Sequence, residues 1–141
     1  RGMAAVKLGL CDDYTRSAWE TPGIPKMTFV APAADHTTVT GQKISADKID
    51  LLSRMMSMQK THPTYAMTGA MCTAAAAIVP GSVVQQVLRS DVDTQFIRIA
   101  HPGGILEAGV DYTVGKDGSV DVKDTFGFRT ANLLAEGTAF C

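Results

Sequence analysis

Two short segments of the sequence carry the residue types of an anion-binding site. Thr68-Gly69-Ala70 opens an apolar, alanine-rich run, and His101-Pro102-Gly103-Gly104 follows an alternating apolar segment. A helix start presents unpaired backbone N–H groups and the positive end of the helix dipole. Gly69 has no side chain to keep a carboxylate away, and successive N–H groups in a Pro-Gly-Gly turn form a similar nest. From these residues alone an ordinary helix cap and an ordinary turn are favoured, and carboxylate binding becomes the better interpretation if the two segments lie close together.

A third segment, Ser57 to His62, combines a hydroxyl, an ammonium and an imidazole on an irregular connection. Binding groups often lie on such loops, although a solvated connection is the alternative. His62 and Cys72 would suit a thiol–imidazole pair. That pairing is disfavoured because Cys72 falls inside a predicted helix, where core packing is expected. His36 lies in a polar loop and is expected to be exposed.

The sequence contains no motif for a metal or a nucleotide cofactor. Its three cysteines, at positions 11, 72 and 141, form neither a CxxC pair nor a zinc pattern, and no P-loop, GxGxxG or HExxH occurs. We therefore expect no cofactor. Three widely spaced cysteines, odd in number, are typical of reduced thiols in a cytoplasmic protein.

The composition indicates one domain with a core of its own. Of the 141 residues, 45% are hydrophobic and 19% are charged, and the net charge is −1. Without a basic cluster, binding to nucleic acid or to an anionic membrane surface is disfavoured. The longest apolar run, Ala70 to Val79, is about half of what a bilayer requires. We expect a single cytoplasmic domain over residues 1–141, with residues 1–25 as a linker and helix end.

Hydrophobic periodicity predicts an α+β fold. The predicted helices are 3–10, 46–56 with Ser45 as N-cap, 68–79 with Thr68 as N-cap, 82–89 and 129–137; the predicted strands are 27–31, 94–100, 105–114 and 120–128. Asp117-Gly118 predicts a hairpin between the last two strands. The alanine-rich helix lacks a polar face, which predicts a sheet curled around it and packing on all its sides. In the following helix Val83, Val84, Val87 and Leu88 are expected to point inward.

These segments, in this order, resemble the second, C-terminal domain of the PrpF-like isomerases. The segments that carry the resemblance are Arg54–His62, Thr68–Thr73, Ile78–Val84, Ile97–Gly104 and Arg129–Ala131. That family includes 2-methylaconitate cis–trans isomerase, methylitaconate and aconitate isomerases and 4-oxalomesaconate tautomerase. The resemblance implies a diaminopimelate epimerase-like fold, with a mixed curled sheet around a central helix.

The resemblance also implies a reaction, namely cofactor-independent movement of a proton and a double bond in an unsaturated di- or tricarboxylic acid. It assigns no base within this chain. The residues that would bind substrate carboxylates are Thr68, Gly69, Ala70, His101, Pro102, Gly103 and Gly104. Those that would line the cleft are Ser57, Met58 and His62.

The chain departs from the family pattern in several places. Family members are well over twice as long, and their first domain, which carries a lysine base, has no counterpart here. Gly103 stands where the family typically has serine, Asn132 where it has arginine, and Ala66 where the epimerase relatives have cysteine. We expect half of an isomerase, completed by a first domain or by a homodimer that covers the apolar domain face. The alternative is a non-catalytic relative that binds a small carboxylate or acts as an oligomerisation module.

Overall fold

A mixed β-sheet carries one long helix on its face. The computed structural model describes residues 1–129 and 133–138. The helices are α1 (Gly2–Lys7), α2 (Ser17–Glu20), α3 (Met67–Ile78) and α4 (Val83–Val87), with a 3-10 turn at Ala46–Lys48. The strands are β1 (Met27–Pro32), β2 (His36–Thr37), β3 (Lys43–Ile44), β4 (Leu51–Ser57), β5 (Lys60–Thr61), β6 (Phe96–His101), β7 (Gly104–Val114) and β8 (Val120–Gly127).

The strand order of the main sheet is β1-β4-β6-β7-β8, with β5 paired to β4. The β4–β6 pair is parallel and the other pairs are antiparallel, so the sheet is mixed. Helix α3 belongs to the connection between β4 and β6 and packs on β6, β7 and β8. The predicted hairpin between β7 and β8 turns at Gly118, which has a φ of +80°. The predicted α+β fold, with a mixed sheet around an alanine-rich helix, is confirmed.

Two hydrophobic clusters lie on opposite faces of the sheet. The larger one packs fully buried strand residues against the small side chains of α3, and it includes Leu51, Met55, Ile97, Ile99, Ala70, Ala74 and Ala77. The smaller one packs Ile44 and Ile49 against Ala100. Alanine at the contact positions lets the helix backbone approach the strands closely, which brings the start of α3 next to the end of β6.

The predicted helix over residues 46–56 is wrong. Only a 3-10 turn follows Ser45, and residues 51–57 form β4. Leu51, Ser53 and Met55 are buried while Leu52 and Arg54 are half-buried, which is the alternation of a strand. Because the buried position at the centre is a serine, the apolar residues around it fitted a helical period equally well.

Helices α3 and α4 differ from the predictions in their capping and in the burial of their residues. The N-cap of α3 is Ala66 and not Thr68, which lies exposed in the first turn. Helix α3 is not packed on all sides, because Cys72 is exposed. In α4, Val84 and its inward neighbours pack on the core as predicted, but Val83 is 66% exposed.

The two ends of the chain also differ from the prediction. Residues 1–25, predicted as a linker and helix end, contain the two short helices α1 and α2. Residues 133–138 form no helix, so the predicted closing helix is wrong there. Residues 130–132 of that predicted helix lie outside the described residues.

An ion pair between the buried Asp50 and the partly exposed Arg98 ties the start of β4 to β6. Asp50 is 2% exposed, and its Oδ1 and Oδ2 accept hydrogen bonds from the Arg98 guanidinium at 2.6 and 3.1 Å. Its Oδ2 also accepts from the Arg98 backbone N–H at 2.7 Å. These bonds to Asp50 raise the pKa of Arg98 above its usual range. The pair therefore fixes the register in which the parallel strands begin.

We predict that Asp50→Ala lowers the free energy of unfolding by about 3 kcal/mol, since it leaves a guanidinium and a buried N–H without their acceptor. Urea denaturation measures the change. The control is Asp91→Ala, which removes the exposed partner of Arg89. That control is expected to change the free energy of unfolding by less than about 0.5 kcal/mol. Equal effects of the two substitutions would contradict the structural role of Asp50.

Candidate functional site

A cleft of about 780 Å³ opens where α3 begins, β6 ends and β7 starts. We call it the α3 cleft. It is lined by Lys48, His62, Thr64, Tyr65, Ala66, Met67, His101, Ile105, Leu106, Glu107, Phe128 and Arg129. Two of the histidines singled out from the sequence, His62 and His101, thus border the same space.

The two segments predicted to bind anions lie against one short stretch of chain. A Cβ added at Gly103 would lie 3.1 Å from Cγ2 of Thr64 and 3.3 Å from the carbonyl oxygen of Pro63. A Cβ added at Gly69 would lie 3.8 Å from Cε1 of Tyr65. The Pro-Gly-Gly turn and the start of α3 therefore flank the Pro63–Tyr65 segment on the same side of the molecule.

The first turn of α3 carries backbone donors next to the cleft, which Met67 lines and Thr68, Gly69 and Ala70 do not. Ala70 N–H is the first helical amide that bonds within the helix, to the carbonyl oxygen of Ala66 at 2.9 Å. The preceding amides, of Met67, Thr68 and Gly69, have no carbonyl one turn earlier to bind. Within the described residues no side chain caps this helix, since the N-cap is an alanine. These amides can donate to an anion in the cleft.

Tyr65 joins the cleft to the core through its hydroxyl group. Its Oη lies 2.8 Å from Oγ of Ser53 and 3.0 Å from Oγ1 of Thr73. Ser53 in turn donates to the carbonyl oxygen of Phe29, and Thr73 donates to that of Gly69. A single chain of hydroxyls thus connects β1, β4, the loop before α3 and the first turn of α3. We call it the hydroxyl chain.

His101 is held between the aromatic ring of Tyr65 and its own turn. The two rings stack at a centroid distance of 6.4 Å and an angle of 30°. Nδ1 of His101 accepts a hydrogen bond from Gly103 N–H at 3.1 Å. Burial, with further contributions from nearby Arg54, His62 and His36, lowers the pKa of His101. The imidazole is therefore neutral at pH 7 and above.

The other predicted site residues lie around the cleft or away from it. Ser57 and Met58 are at the β4–β5 turn, where Met58 has a φ of +51° and Ser57 Oγ accepts from Nζ of Lys26 at 3.4 Å. Neither residue is among those that line the cleft. Pro102 is buried, and Ala70 is buried beneath the first turn of α3. The binding roles assigned to these residues stay predictions.

His36 differs from its predicted exposed position. It is half-buried in the β2–β3 ribbon, and both ring nitrogens are buried without a hydrogen-bond partner among the residues that the structure describes. The ribbon is attached to the Pro-Gly-Gly turn because Val39 N–H donates to the carbonyl oxygen of Pro102 at 2.8 Å.

Sequence reasoning missed several residues of the cleft. Thr64 and Tyr65 lie between two segments that were identified, and Lys48 belongs to a stretch predicted to be helical. One signal was present for Tyr65, an aromatic hydroxyl placed two residues after a proline and just before a helix. Its partner Ser53 could be found only after β4 is assigned as a strand.

Two classes of feature are absent from residues 1–129 and 133–138. No group of three His, Cys, Asp or Glu side chains is arranged to hold a metal ion. None of the helices in these ranges has the length and apolar character needed to cross a membrane.

We predict that Tyr65→Phe lowers the free energy of unfolding by about 1–2 kcal/mol, because the buried hydroxyls of Ser53 and Thr73 lose a shared partner. Urea denaturation gives the value. Tyr14→Phe is the matched control, since Tyr14 is 60% exposed. It should leave stability unchanged, and a Tyr65→Phe protein as stable as this control would show that the hydroxyl chain contributes nothing.

We also predict that the protein loses stability as the pH falls below 6.5, the ordinary pKa of histidine. The unfolded chain protonates His101 before the folded one does, so acid favours unfolding over this window. Melting temperatures between pH 7.5 and 5.5 measure the effect. His101→Asn keeps an acceptor for Gly103 N–H but does not titrate, so its melting temperature should change less over this range. An unchanged pH slope in that variant would contradict the assignment.

The comparisons with known proteins agree on one family. A family model described as PrpF protein matches residues 1–141. The 3-methylitaconate isomerase of Eubacterium barkeri is 37% identical over 141 residues, which are 99% of this chain and 36% of that protein. The 2-methyl-aconitate isomerase of Cupriavidus necator is 32% identical over 133 residues, which are 94% of this chain and 33% of that protein.

A solved structure gives the same result for the fold. The crystal structure of a methylitaconate-delta-isomerase superimposes with a TM-score of 0.76 at 34% identity, over 92% of this chain and 34% of that one. The fold is diaminopimelate epimerase-like. This chain spans about a third of the length of these relatives. With a family model matched along residues 1–141, the chain belongs to the PrpF family, whose relatives found here are isomerases.

Proposed function

We propose that this chain forms the carboxylate-binding side of an isomerase site. The reaction would move a proton and a double bond in an unsaturated di- or tricarboxylic acid of the methylitaconate, methylaconitate, aconitate or oxalomesaconate type. The observation that carries the proposal is the α3 cleft, which is lined by His62, by His101 and by Met67, the first residue of α3. The names of the relatives, 3-methylitaconate isomerase and 2-methyl-aconitate isomerase, support this substrate class.

The proposed chemistry is a proton transfer without net oxidation. A base removes a proton from a carbon next to a carboxylate or carbonyl group. The electron pair of the C–H bond enters an enolate-like or allylic anion, which is reprotonated at another carbon or after rotation about a bond. Donors already in place around the anion lower the barrier, because they need no reorganisation while negative charge develops.

The residues of the cleft fit the binding part of this reaction. Amides of Met67, Thr68 and Gly69 would hold one carboxylate at the start of α3, and His101, oriented by the amide of Gly103, would hold another group. Such donors need neither a metal nor an organic cofactor. We propose that the base comes from another domain or from a second copy facing this cleft in a cytoplasmic enzyme, since the relatives are about three times as long.

We predict that trans-aconitate raises the melting temperature of the chain in a saturable way, since a ligand bound only by the folded state stabilises it. At a concentration 100 times the dissociation constant, the gain is about 2.7 kcal/mol. Thermal-shift titration measures it, with the uncharged trimethyl ester as the ligand control. His101→Ala should weaken binding, whereas Lys7→Ala on the exposed face of α1 should not. The absence of a shift with any tricarboxylate would contradict the proposed carboxylate site.

Turnover is tested separately. In a chimera, this chain replaces the corresponding third of the Eubacterium barkeri 3-methylitaconate isomerase. If the chain belongs to an active isomerase, the chimera should interconvert the isomers of an unsaturated di- or tricarboxylic acid, followed by ¹H NMR. A folded chimera without turnover, combined with saturable tricarboxylate binding by the chain alone, would favour the non-catalytic carboxylate-binding alternative.

A further inference from the structure

The α3 cleft contains two histidines in the same local arrangement. Each is followed by proline, in His62-Pro63-Thr64 and His101-Pro102-Gly103. In both, Nδ1 of the imidazole accepts a hydrogen bond at 3.1 Å from the backbone N–H two residues later. At His62 the Thr64 hydroxyl also lies 3.3 Å from Nδ1, to which it can donate. The third histidine of the chain, His36, is followed by threonine and has no such bond among the described residues.

The proline explains why the arrangement recurs. Proline has no N–H, so the first amide after the histidine that can reach its ring is that of residue i+2. Proline also restricts the preceding residue to extended backbone, which limits the positions open to the imidazole. A His-Pro-Xaa sequence thus provides an acceptor ring and the donor that orients it.

The hydrogen bonds determine which nitrogen carries the proton. A neutral imidazole has one N–H and one acceptor nitrogen, and Nδ1 is the acceptor in both rings, so the proton lies on Nε2. Nδ1 cannot take up a proton without losing its bond to the backbone amide. Nε2 has no lone pair available to accept one. In this state neither ring can act as a general base.

Charged groups around the cleft do not change this assignment. Lys48, Glu107 and Arg129 line the cleft, and Arg54 approaches His101 from β4. Burial and the positive charge of Arg54 lower the pKa of His101. Both effects favour the neutral ring, in which Nε2–H is the single donor.

We propose that His62 and His101 are a pair of neutral Nε2–H donors that bind and polarise oxygen atoms of the substrate, and that neither histidine removes the substrate proton. The inference rests on the proposed function for the nature of the ligand. A neutral imidazole is a weak acid, so its hydrogen bond strengthens as charge develops on the oxygen without requiring full proton transfer. Two such donors fit a ligand with two separate oxygen acceptors, as in a di- or tricarboxylic acid.

The tautomers are measured directly by two-dimensional ¹H–¹⁵N NMR of the imidazole rings in the ¹⁵N-labelled chain. Three histidines give three sets of signals, which single substitutions assign. At pH 7.5 both His62 and His101 should show the Nε2–H form in excess of the Nδ1–H form by about tenfold, as expected for one hydrogen bond to the backbone. An Nδ1–H form or an imidazolium at either position would overturn the inference, whether or not trans-aconitate binds.

Two substitutions then test the donor role with trans-aconitate as the probe. The amide nitrogen of His101→Gln can replace Nε2–H, whereas the shorter side chain of His101→Asn replaces only the Nδ1 acceptor. We expect the glutamine variant to bind within about threefold of the parent chain and the asparagine variant to bind about tenfold more weakly. Equal affinities of the two variants would overturn the inference. A parent chain that does not bind trans-aconitate while showing both Nε2–H forms would contradict the proposed function and leave the tautomer assignment standing.

Discussion

The site depends on the position of Tyr65. Its hydroxyl group lies between Ser53 on β4 and Thr73 on α3, and its ring packs on His101 at the end of β6. Three hydroxyl groups and two backbone carbonyls make four contacts here, but the hydroxyls have three protons between them. Because Ser53 and Thr73 donate to the carbonyls, Tyr65 can donate to only one of these two hydroxyls at a time. Such a network is costly to disrupt inside a protein, so it fixes the loop that carries His62 relative to the helix and the sheet.

Small residues determine how close the backbone segments of the site come to one another. Alanines on the inner face of α3 bring the helix axis near the strands, and Gly69 lies where a Cβ would collide with the buried side chain of Met55. Gly103 is similarly confined by Thr64 and Pro63. A side chain at either glycine would push apart the surfaces that form the cleft. The lack of a side chain at Gly69 also lets an anion approach its backbone N–H, so close packing and the proposed anion binding require the same residue. The N–H of Gly103 instead donates to Nδ1 of His101.

Much of the fold could be predicted from hydrophobic periodicity and turn residues. The alanine run, the Asp117-Gly118 turn and the alternation in the last third of the chain predicted α3, β7 and β8. Periodicity did not identify β4 because its central buried residue, Ser53, is polar. Ser53 can be buried because it forms hydrogen bonds with the Phe29 carbonyl oxygen and the Tyr65 hydroxyl. It also failed after Phe128, where residues 133–138 are irregular despite good helix formers. A high intrinsic helix propensity is not enough to form a short helix that has no surface to pack against.

The candidate site was less accessible from the sequence than the fold. The glycine segments indicate accessible amides, but their proximity depends on how α3 crosses from β4 to β6. The burial of a histidine is equally hard to predict from the sequence, since His36 was predicted to be exposed and is half-buried. The His-Pro dipeptides are an exception, because their effect on Nδ1 is local and needs only residue i+2.

The electrostatics of the cleft favour an isomerase site in which the hydrogen-bond donors and the base come from different parts of the protein. Its proposed donors are backbone amides and imidazole Nε2–H groups, so they bind oxygen without adding a full positive charge. A base acting beside such donors keeps its own proton affinity, whereas two imidazolium ions would lower it. Hydrogen bonds from neutral donors strengthen most when negative charge develops on the substrate. This happens in the transition state, where stabilisation accelerates a proton transfer. We therefore propose that this chain stabilises the anion and that the base approaches from across the cleft.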